Sequence, residues 1–198
     1  MSSERPTDSA LRIVPCKWAS IVHSLRIITG TTLKRYLDYL EGAFIIHRLP
    51  AFYTNIGKRL VKASKVYIND SGILHFLLNI HSDQELQTLP SLGNSWEGYA
   101  ISQIRYAKDS RLDMYYYRTH AGAECDVVLA FGHQVKACVE IKFSKSPSIT
   151  KGYYQSAADL KSKSNFIVVP GNINFLNKEG IRIVGLQIFI DKYLQTLK

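Results

Sequence analysis

The sequence predicts an α/β protein of the α+β kind, with a mixed sheet and a small winged-helix-like unit before it. Residues 124–143 alternate apolar and polar side chains with a period of two, which is typical of a β-hairpin. Helical and strand patterns follow one another as α, β, β, β, α, β over residues 95–169. Two helical patterns and two short β-rich runs precede them, before residue 55.

The composition is that of a globular protein with a basic surface. The 198 residues are 46% hydrophobic and 21% charged, and the formal net charge is +9. A basic surface favours a polyanion such as DNA, although solubility alone also explains many basic proteins. No apolar run is long enough to span a membrane, so we expect a cytoplasmic protein without a membrane partner. The cysteines form no C-x-x-C pair, which predicts reduced thiols at Cys16, Cys125 and Cys138.

The first 64 residues predict a lead-in followed by the winged-helix-like unit. Residues 1–10 are expected to be disordered, and residues 16–26 have apolar side chains on one helical side. Threonines at 31 and 32 cap the next helix, residues 33–41. Two β-rich runs, 43–49 and 51–54, are separated by Pro50 and predict a two-stranded wing. The stripe of the second helix has the spacing of a core face: Leu33, Tyr36, Leu37 and Leu40.

Two interpretations of this unit are open. In a helix-turn-helix arrangement, residues 33–41 would be the recognition helix, with Lys34 and Arg35 directed toward DNA. Alternatively, the unit only packs against its neighbour or docks a partner, and its charges form a solvated face. Residues 55–64 predict a basic connector that contains Lys58 and Arg59.

Residues 65–107 predict a strand and a series of helices. After the strand 65–69, an Asp-Ser-Gly turn at 70–72 caps a helix, residues 73–80. The polar stretch 81–92 predicts a loop with a short helical piece. Asn94 is expected to cap a longer helix that ends near residue 107, with Glu97 in its first turn.

The second half predicts most of the sheet. An aromatic strand, residues 114–119, leads into the hairpin of residues 124–143. A helix that carries Gln155 follows at 151–161, then a buried strand at 165–169. The remaining elements are expected to be a strand at 182–185 and a last helix at 188–197.

The hairpin gathers charged side chains in one place. A three-residue loop at 132–134 would put Asp126 opposite Glu140, and Lys142 points to the same side as Glu140. The alternation predicts one set of second-arm residues facing a core and the other set facing away from it. The first set is Val135, Ala137, Val139, Ile141 and Phe143, and the second is Lys136, Cys138, Glu140 and Lys142.

These residues suggest metal-dependent phosphodiester hydrolysis, which needs a hard cation held by oxygen ligands. Asp126 and Glu140 could bind Mg²⁺ or Mn²⁺ through their carboxylates, with the main-chain carbonyl of Ile141. Lys142 could orient the attacking water or stabilise negative charge. Glu97 could bind through water or hold a second ion, and Gln155 is a possible further contributor.

An Asp followed by Glu-x-Lys on the next strand, after a helical Glu, resembles the PD-(D/E)XK nuclease superfamily, which has the restriction-endonuclease-like fold. A wider resemblance, over roughly residues 30–170, is to the uncharacterised C-terminal domain carried by many bacterial and archaeal AAA+ ATPases. The motifs that carry it are Leu33-Lys-Arg-Tyr-Leu-Asp-Tyr-Leu-Glu41, Asn55-Ile-Gly-Lys-Arg59, Lys65-Val-Tyr-Ile-Asn-Asp-Ser-Gly72, Trp96-Glu97, Tyr117-Arg-Thr119, Glu124-Cys-Asp126 and Glu140-Ile-Lys142.

The resemblance implies a winged-helix-like segment, residues 1–64, and a nuclease-like domain, residues 65–198, behind an N-terminal P-loop ATPase. The chain contains no G-x-x-x-x-G-K-[ST], so we expect no ATP site and interpret it as a fragment, a truncated product or a stand-alone relative.

Two functions are left open by the sequence. One is a Mg²⁺-dependent nuclease, and the other is a non-catalytic nucleic-acid-binding or protein-interaction module, with a protein partner or homodimer possible. In the second, cross-strand pairing of lysine and carboxylate explains the Glu-x-Lys without a metal. The basic residues expected to contact nucleic acid are Lys34, Arg35, Lys58, Arg59, Lys145 and Lys151. Further lysines at 62, 65, 142, 161 and 163 add to the basic surface.

Overall fold

The computed structural model describes residues 30–53 and 63–197. The predicted lead-in, the predicted helix at 16–26, and the basic residues Lys58 and Arg59 lie outside these ranges.

Helices and strands follow one another in groups along the chain. The helices are α1 (Gly30–Gly42), α2 (Ser71–Leu77), α3 (Asp83–Thr88), α4 (Leu92–Ala107), α5 (Lys151–Asp159) and α6 (Leu186–Ile188), which continues as a π-helix (Phe189–Tyr193) and a 3₁₀-helix (Leu194–Thr196). The strands are β1 (Ile46–Leu49), β2 (Lys65–Ile68), β3 (Asp113–Arg118), β4 (Glu124–Phe131), β5 (Gln134–Ile141), β6 (Asn165–Val169), β7 (Asn174–Leu176) and β8 (Arg182–Gly185).

One mixed six-stranded sheet carries the fold, in the order β3-β4-β5-β6-β8-β7. Strands β3, β4 and β5 are antiparallel, β5, β6 and β8 are parallel, and β7 returns antiparallel to β8. The predicted α+β class and the α, β, β, β, α, β order are confirmed. The short strand β7, with all three residues exposed, was not predicted.

The predicted wing is wrong in its pairing. Strand β1 pairs antiparallel with β2, 16 positions further along the chain, rather than with residues 51–54. The chain at Pro50–Phe52 instead runs along β3, where Ala51 forms a parallel bridge with Tyr116. Tyr116 donates its N–H to the Pro50 carbonyl at 2.9 Å and accepts from the Phe52 N–H at 2.7 Å. An edge strand offers unpaired main-chain groups, so β3 competes successfully for this segment.

Both faces of the large sheet are covered, which corrects the predicted facing of the hairpin. One apolar cluster contains Ala137, Val139 and Ile141 and packs against α4, the β1–β2 pair and the C-terminal helical turns. A second cluster, on the side of α5, contains Cys138 together with Cys125. In a sheet with helices on both faces, alternation distinguishes the two layers and does not separate core from solvent.

The register of the hairpin is as predicted, although its loop is not. The turn has two residues, Gly132 and His133, and Gly132 adopts a left-handed φ of 56°. An irregularity between the pairs of Leu129 and Ala130 then shifts β5 by one residue, so that Val127 lies opposite Val139. If this register continues by one residue pair, Asp126 lies opposite Glu140.

Two helices also differ from their sequence patterns. Helix α4 begins at Leu92, two residues before the predicted cap, which places Glu97 in its second turn rather than its first. In α1, Leu33 and Leu37 are buried, whereas Tyr36 and Leu40 of the predicted stripe are exposed.

The start of α5 packs so closely against the chain before β4 that only glycine fits there. A Cβ at Gly152 would lie 2.5 Å from the main-chain oxygen of Gly122. We therefore expect Gly152→Ala to lower the free energy of unfolding by about 1–3 kcal/mol, as measured by urea denaturation. Gly42→Ala is the matched control, because a Cβ there meets nothing within 4 Å. Equal midpoints for the two variants would contradict the proposed close approach.

Candidate functional site

A cavity of about 470 Å³ opens where β4 begins and β5 ends, between α4 and the start of α5. Five of the residues predicted from sequence line it: Glu97, Asp126, Glu140, Ile141 and Lys142. Glu124, Thr150 and Gly152 also contribute to its wall. The fold therefore brings together groups that are far apart in the sequence.

Asp126 is aimed into the cavity by a β-bulge. The pairing of β3 with β4 shifts by one residue between Tyr115 and Tyr117, opposite Asp126. Such bulges redirect side chains and are frequent beside active sites. Asp126 is buried, and its Oδ2 atom accepts a hydrogen bond from the Ile141 N–H at 3.0 Å. This bond fixes the carboxylate against the end of β5.

Glu140 and Lys142 form an ion pair at the same strand end. The Lys142 Nζ atom lies 2.8 Å from Glu140 Oε1, as their shared side of the strand predicts. The Glu140 side chain is 7% exposed, and its Oε2 atom has no hydrogen-bond partner among the described residues. Burial raises the pKa of Glu140 to about 8, and the charge of Asp126 adds to this, although Lys142 opposes it. Glu140 therefore holds its proton more tightly than an exposed carboxyl does, chiefly because it is buried.

The centre of the site is a lysine that sequence reasoning placed on the basic surface. The Nζ atom of Lys65 lies 3.3 Å from Glu97 Oε1, 3.5 Å from Asp126 Oδ1 and 3.7 Å from Glu124 Oε1. Its side chain is only 7% exposed. Burial lowers the pKa of Lys65, but the three carboxylates outweigh this effect and raise it above its ordinary value. Lys65 is therefore an ammonium ion held inside the protein by acidic groups.

The sequence around Lys65 gives a misleading signal. In β2 the apolar Val66 and Ile68 alternate with Lys65 and Tyr67, which favours an inward direction for the apolar pair. The structure instead buries Lys65 and Tyr67 and leaves the other two partly exposed. Strand β2 turns its polar side toward the cavity because the carboxylates on α4 and β4 lie there.

Glu97 is held by two donors from β2. Tyr67 donates its hydroxyl to Glu97 Oε1 at 2.6 Å, and the same oxygen contacts Lys65. Burial raises the pKa of Glu97, and the Asp126 charge raises it further, whereas Lys65 and Tyr67 lower it. The sequence predicted that Glu97 lies in the first turn of a helix and is stabilised by the helix dipole. The structure instead places it in the second turn, where contacts with β2 hold its side chain.

The cluster holds more negative than positive groups. Glu124 pairs with Arg118 at 3.2 Å, in addition to its contact with Lys65. The four carboxylates of Glu97, Glu124, Asp126 and Glu140 thus face three cations, Lys65, Lys142 and Arg118. Glu140 and Lys142 balance each other, so the excess negative charge lies among Glu97, Glu124 and Asp126, which among the described residues face Lys65 and Arg118.

The carboxylate oxygens of the cavity are ligands that suit one hard cation, although the described acidic side chains do not surround a common point. Within residues 30–53 and 63–197, no three His, Cys, Asp or Glu side chains have the arrangement of a metal site. Lys65 lies between the acids and separates them. The Asp126 and Glu140 carboxylates nevertheless provide oxygen ligands of the kind that Mg²⁺ prefers, and Glu140 Oε2 is buried and unpartnered.

The other predicted residues are distributed around the molecule. Gln155 is exposed, donates to Asp159 Oδ1 at 2.8 Å, and is not part of the cavity wall. Lys145 and Lys151 are exposed on the segment that leads into α5, close in sequence to Thr150 and Gly152 of the wall. Lys34 and Arg35 are exposed on α1, and Lys34 lines a separate cavity with Arg48.

Two family models match the chain. Residues 17–84 match a domain of unknown function, DUF8612, and residues 92–189 match a second, DUF4143, which is found in proteins associated with AAA ATPases. Uncharacterised proteins of Mycobacterium tuberculosis and Mycobacterium bovis are each 35% identical to it over 185 residues. That alignment covers 91% of the chain and 41% of each relative, so the chain spans about two fifths of their length. No solved structure matches. Among the described helices, none is long and apolar enough to cross a membrane.

Removal of the Lys65 ammonium is expected to destabilise the protein. Lys65→Met would leave buried carboxylates without their counter-ion, which typically costs about 3 kcal/mol. Chemical denaturation at neutral pH measures this loss. Lys178→Met removes an exposed lysine between β7 and β8 and should change the free energy of unfolding by less than about 0.5 kcal/mol. A Lys65→Met protein as stable as Lys178→Met would show that the buried ion cluster contributes little.

Proposed function

We propose that the cavity is a nuclease-like centre that hydrolyses phosphodiester bonds of nucleic acid, with DNA as the first candidate substrate, and that it works with one Mg²⁺ or Mn²⁺ ion. The observation that carries this proposal is the shared cavity of Asp126, Glu140 and Lys142, in which Glu140 Oε2 is buried without a partner. Once ionised, a buried carboxylate in that position would favour a bound cation, and Lys142, the lysine to which we assign a catalytic role, lies beside it.

Each residue has a role that follows from its position. Asp126 and Glu140 would hold the cation, with Ile141 at the same strand end. When bound, such an ion polarises a phosphate oxygen and lowers the pKa of a coordinated water. The Lys142 ammonium, which is partly exposed in the cavity, would donate to a phosphate oxygen and stabilise the negative charge that develops there.

The substrate would approach along the segment that leads into α5. Lys145 and Lys151 are exposed there, and Thr150 and Gly152 form part of the cavity wall. Lysines at such a position attract the phosphate backbone without reading its sequence. The helix α5 also presents its positive end at this wall, because it begins at Lys151.

The similarity to DUF4143 supports a further part of the proposal, that the domain acts together with an AAA+ ATPase. The curated mycobacterial relatives are more than twice as long as the matched region, since that region is 41% of their length. The additional chain in such relatives is long enough to supply another domain.

A non-catalytic nucleic-acid-binding or interaction module is the second candidate, and Lys65 favours it. This ammonium already contacts Glu97, Glu124 and Asp126 and supplies them with a counter-ion without any metal. In this case the carboxylates have a structural role, and the basic segment before α5 would bind a polyanion on its own.

The first function predicts metal-dependent cleavage of labelled single- or double-stranded DNA. We expect Lys142→Ala to reduce the rate by about 10²–10³-fold, because it removes a cation that stabilises charge in the transition state. Gel analysis with Mg²⁺ or Mn²⁺ measures the effect. Lys178→Ala should cut as the wild type does. Equal background in wild type and Lys142→Ala, with both folded and supplied with metal, would reject the nuclease.

The nuclease and a nucleic-acid-binding module both predict salt-sensitive DNA binding through the segment that leads into α5. Lys145→Ala and Lys151→Ala should each weaken binding severalfold, and each lost phosphate contact should reduce the slope of log K against log salt by about 0.9. Fluorescence anisotropy over a salt series measures both quantities. Lys178→Ala is the control, because it removes an equal charge from another part of the surface. Identical slopes for all four proteins would place the DNA contact elsewhere.

A further inference from the structure

We propose that Lys65 acts as a built-in cation of the site, so that its ammonium fills the Glu97 side of the carboxylate cluster and the cavity takes one divalent cation rather than two. The inference rests on the proposed function for the cation on the Asp126–Glu140 side. It adds a role for a residue that belongs to neither the helix nor the hairpin of the nuclease-like pattern.

The contacts of Lys65 place its charge where a second ion would otherwise be held. Its Nζ atom lies within 3.7 Å of oxygens from Glu97, Glu124 and Asp126. These carboxylates come from α4 and β4, so the ammonium joins two elements as a bridging ion does. Glu97 Oε1 accepts hydrogen bonds from Lys65 and Tyr67, Asp126 Oδ1 accepts from Lys65, and Glu124 Oε1 accepts from Arg118.

The position of the ammonium is set by well-packed structure. Lys65 lies in β2 directly opposite Leu49 of β1, and its Nζ atom is 5.4 Å from the centre of the Tyr116 ring. The residue is 6% exposed as a whole. A divalent cation at this place would lie against the ammonium, and like charges in contact repel strongly in a protein interior because the dielectric constant there is low.

The Asp126–Glu140 side differs in the hydrogen bonding of its carboxylate oxygens. Lys142 satisfies one oxygen of Glu140, but the other, Oε2, is buried and has no partner among the described residues. The cluster therefore has one side on which the Lys65 ammonium lies between three carboxylates, and one side on which, among the described residues, a buried oxygen of Glu140 has no donor. This asymmetry predicts a single cation in the wild type.

Manganese binding tests the inference without any measurement of activity. Mn²⁺ titration followed by electron paramagnetic resonance should give one bound ion per wild-type chain. Lys65→Met should bind two, because loss of the ammonium frees the Glu97 side. Adding Glu97→Gln to Lys65→Met should reduce the number to one again, and Lys178→Met should behave as the wild type does. Lys65→Gln serves as a second variant with a more polar side chain.

The outcomes separate this inference from the proposed function. Two ions in the wild type, or one ion in both wild type and Lys65→Met, would overturn the inference. No ion in the wild type but one in Lys65→Met would support Lys65 as the built-in cation and reject the metal of the proposed function. If both Lys65 variants stay unfolded even in saturating Mn²⁺, a metal does not take over the place of the ammonium, and the inference fails.

Discussion

The arrangement of the site depends on one electrostatic contact, the Lys65 ammonium among three acidic side chains. Carboxylates that are buried side by side repel one another, and each loses its hydration. Lys65 opposes both effects through its contacts with Glu97 and Asp126, although burial still keeps the pKa of Glu97 above its ordinary value. Glu140 pairs with Lys142 instead, and its pKa is raised mainly by burial and further by the Asp126 charge. The chemistry proposed for the cavity starts from this buried acid.

The large sheet supplies the geometry that the charges require. Its two irregularities act together, because one directs Asp126 toward the cavity and the other sets the register that brings it beside the end of β5. Helices on both faces then close the site, with Glu97 on α4 and Thr150 at the start of α5. The close approach of α5 at Gly152 keeps this wall in place.

Much of the sheet and five of the cavity residues could be predicted from periodicity, because the register of a hairpin is set by residues that are close together in the sequence. The strand that pairs with β1 and the side of β2 that is buried could not be predicted, since both depend on contacts with distant parts of the chain. Lys65 is the clearest case, because the apolar Val66 and Ile68 suggested the opposite side of the strand. An alternating pattern also does not show whether one or both faces of a sheet are covered. For this reason Cys138 was expected to point away from the core, although it is buried in the second cluster.

The ion cluster crosses the boundary between the two matched regions. Lys65 lies within the region matched by DUF8612, whereas the acids that it contacts lie within the region matched by DUF4143. The two regions therefore share one set of charges in this structure. A fragment that contained the second region without the first would expose Glu97, Glu124 and Asp126 to one another without the Lys65 ammonium. Separation of the two regions therefore carries an electrostatic cost.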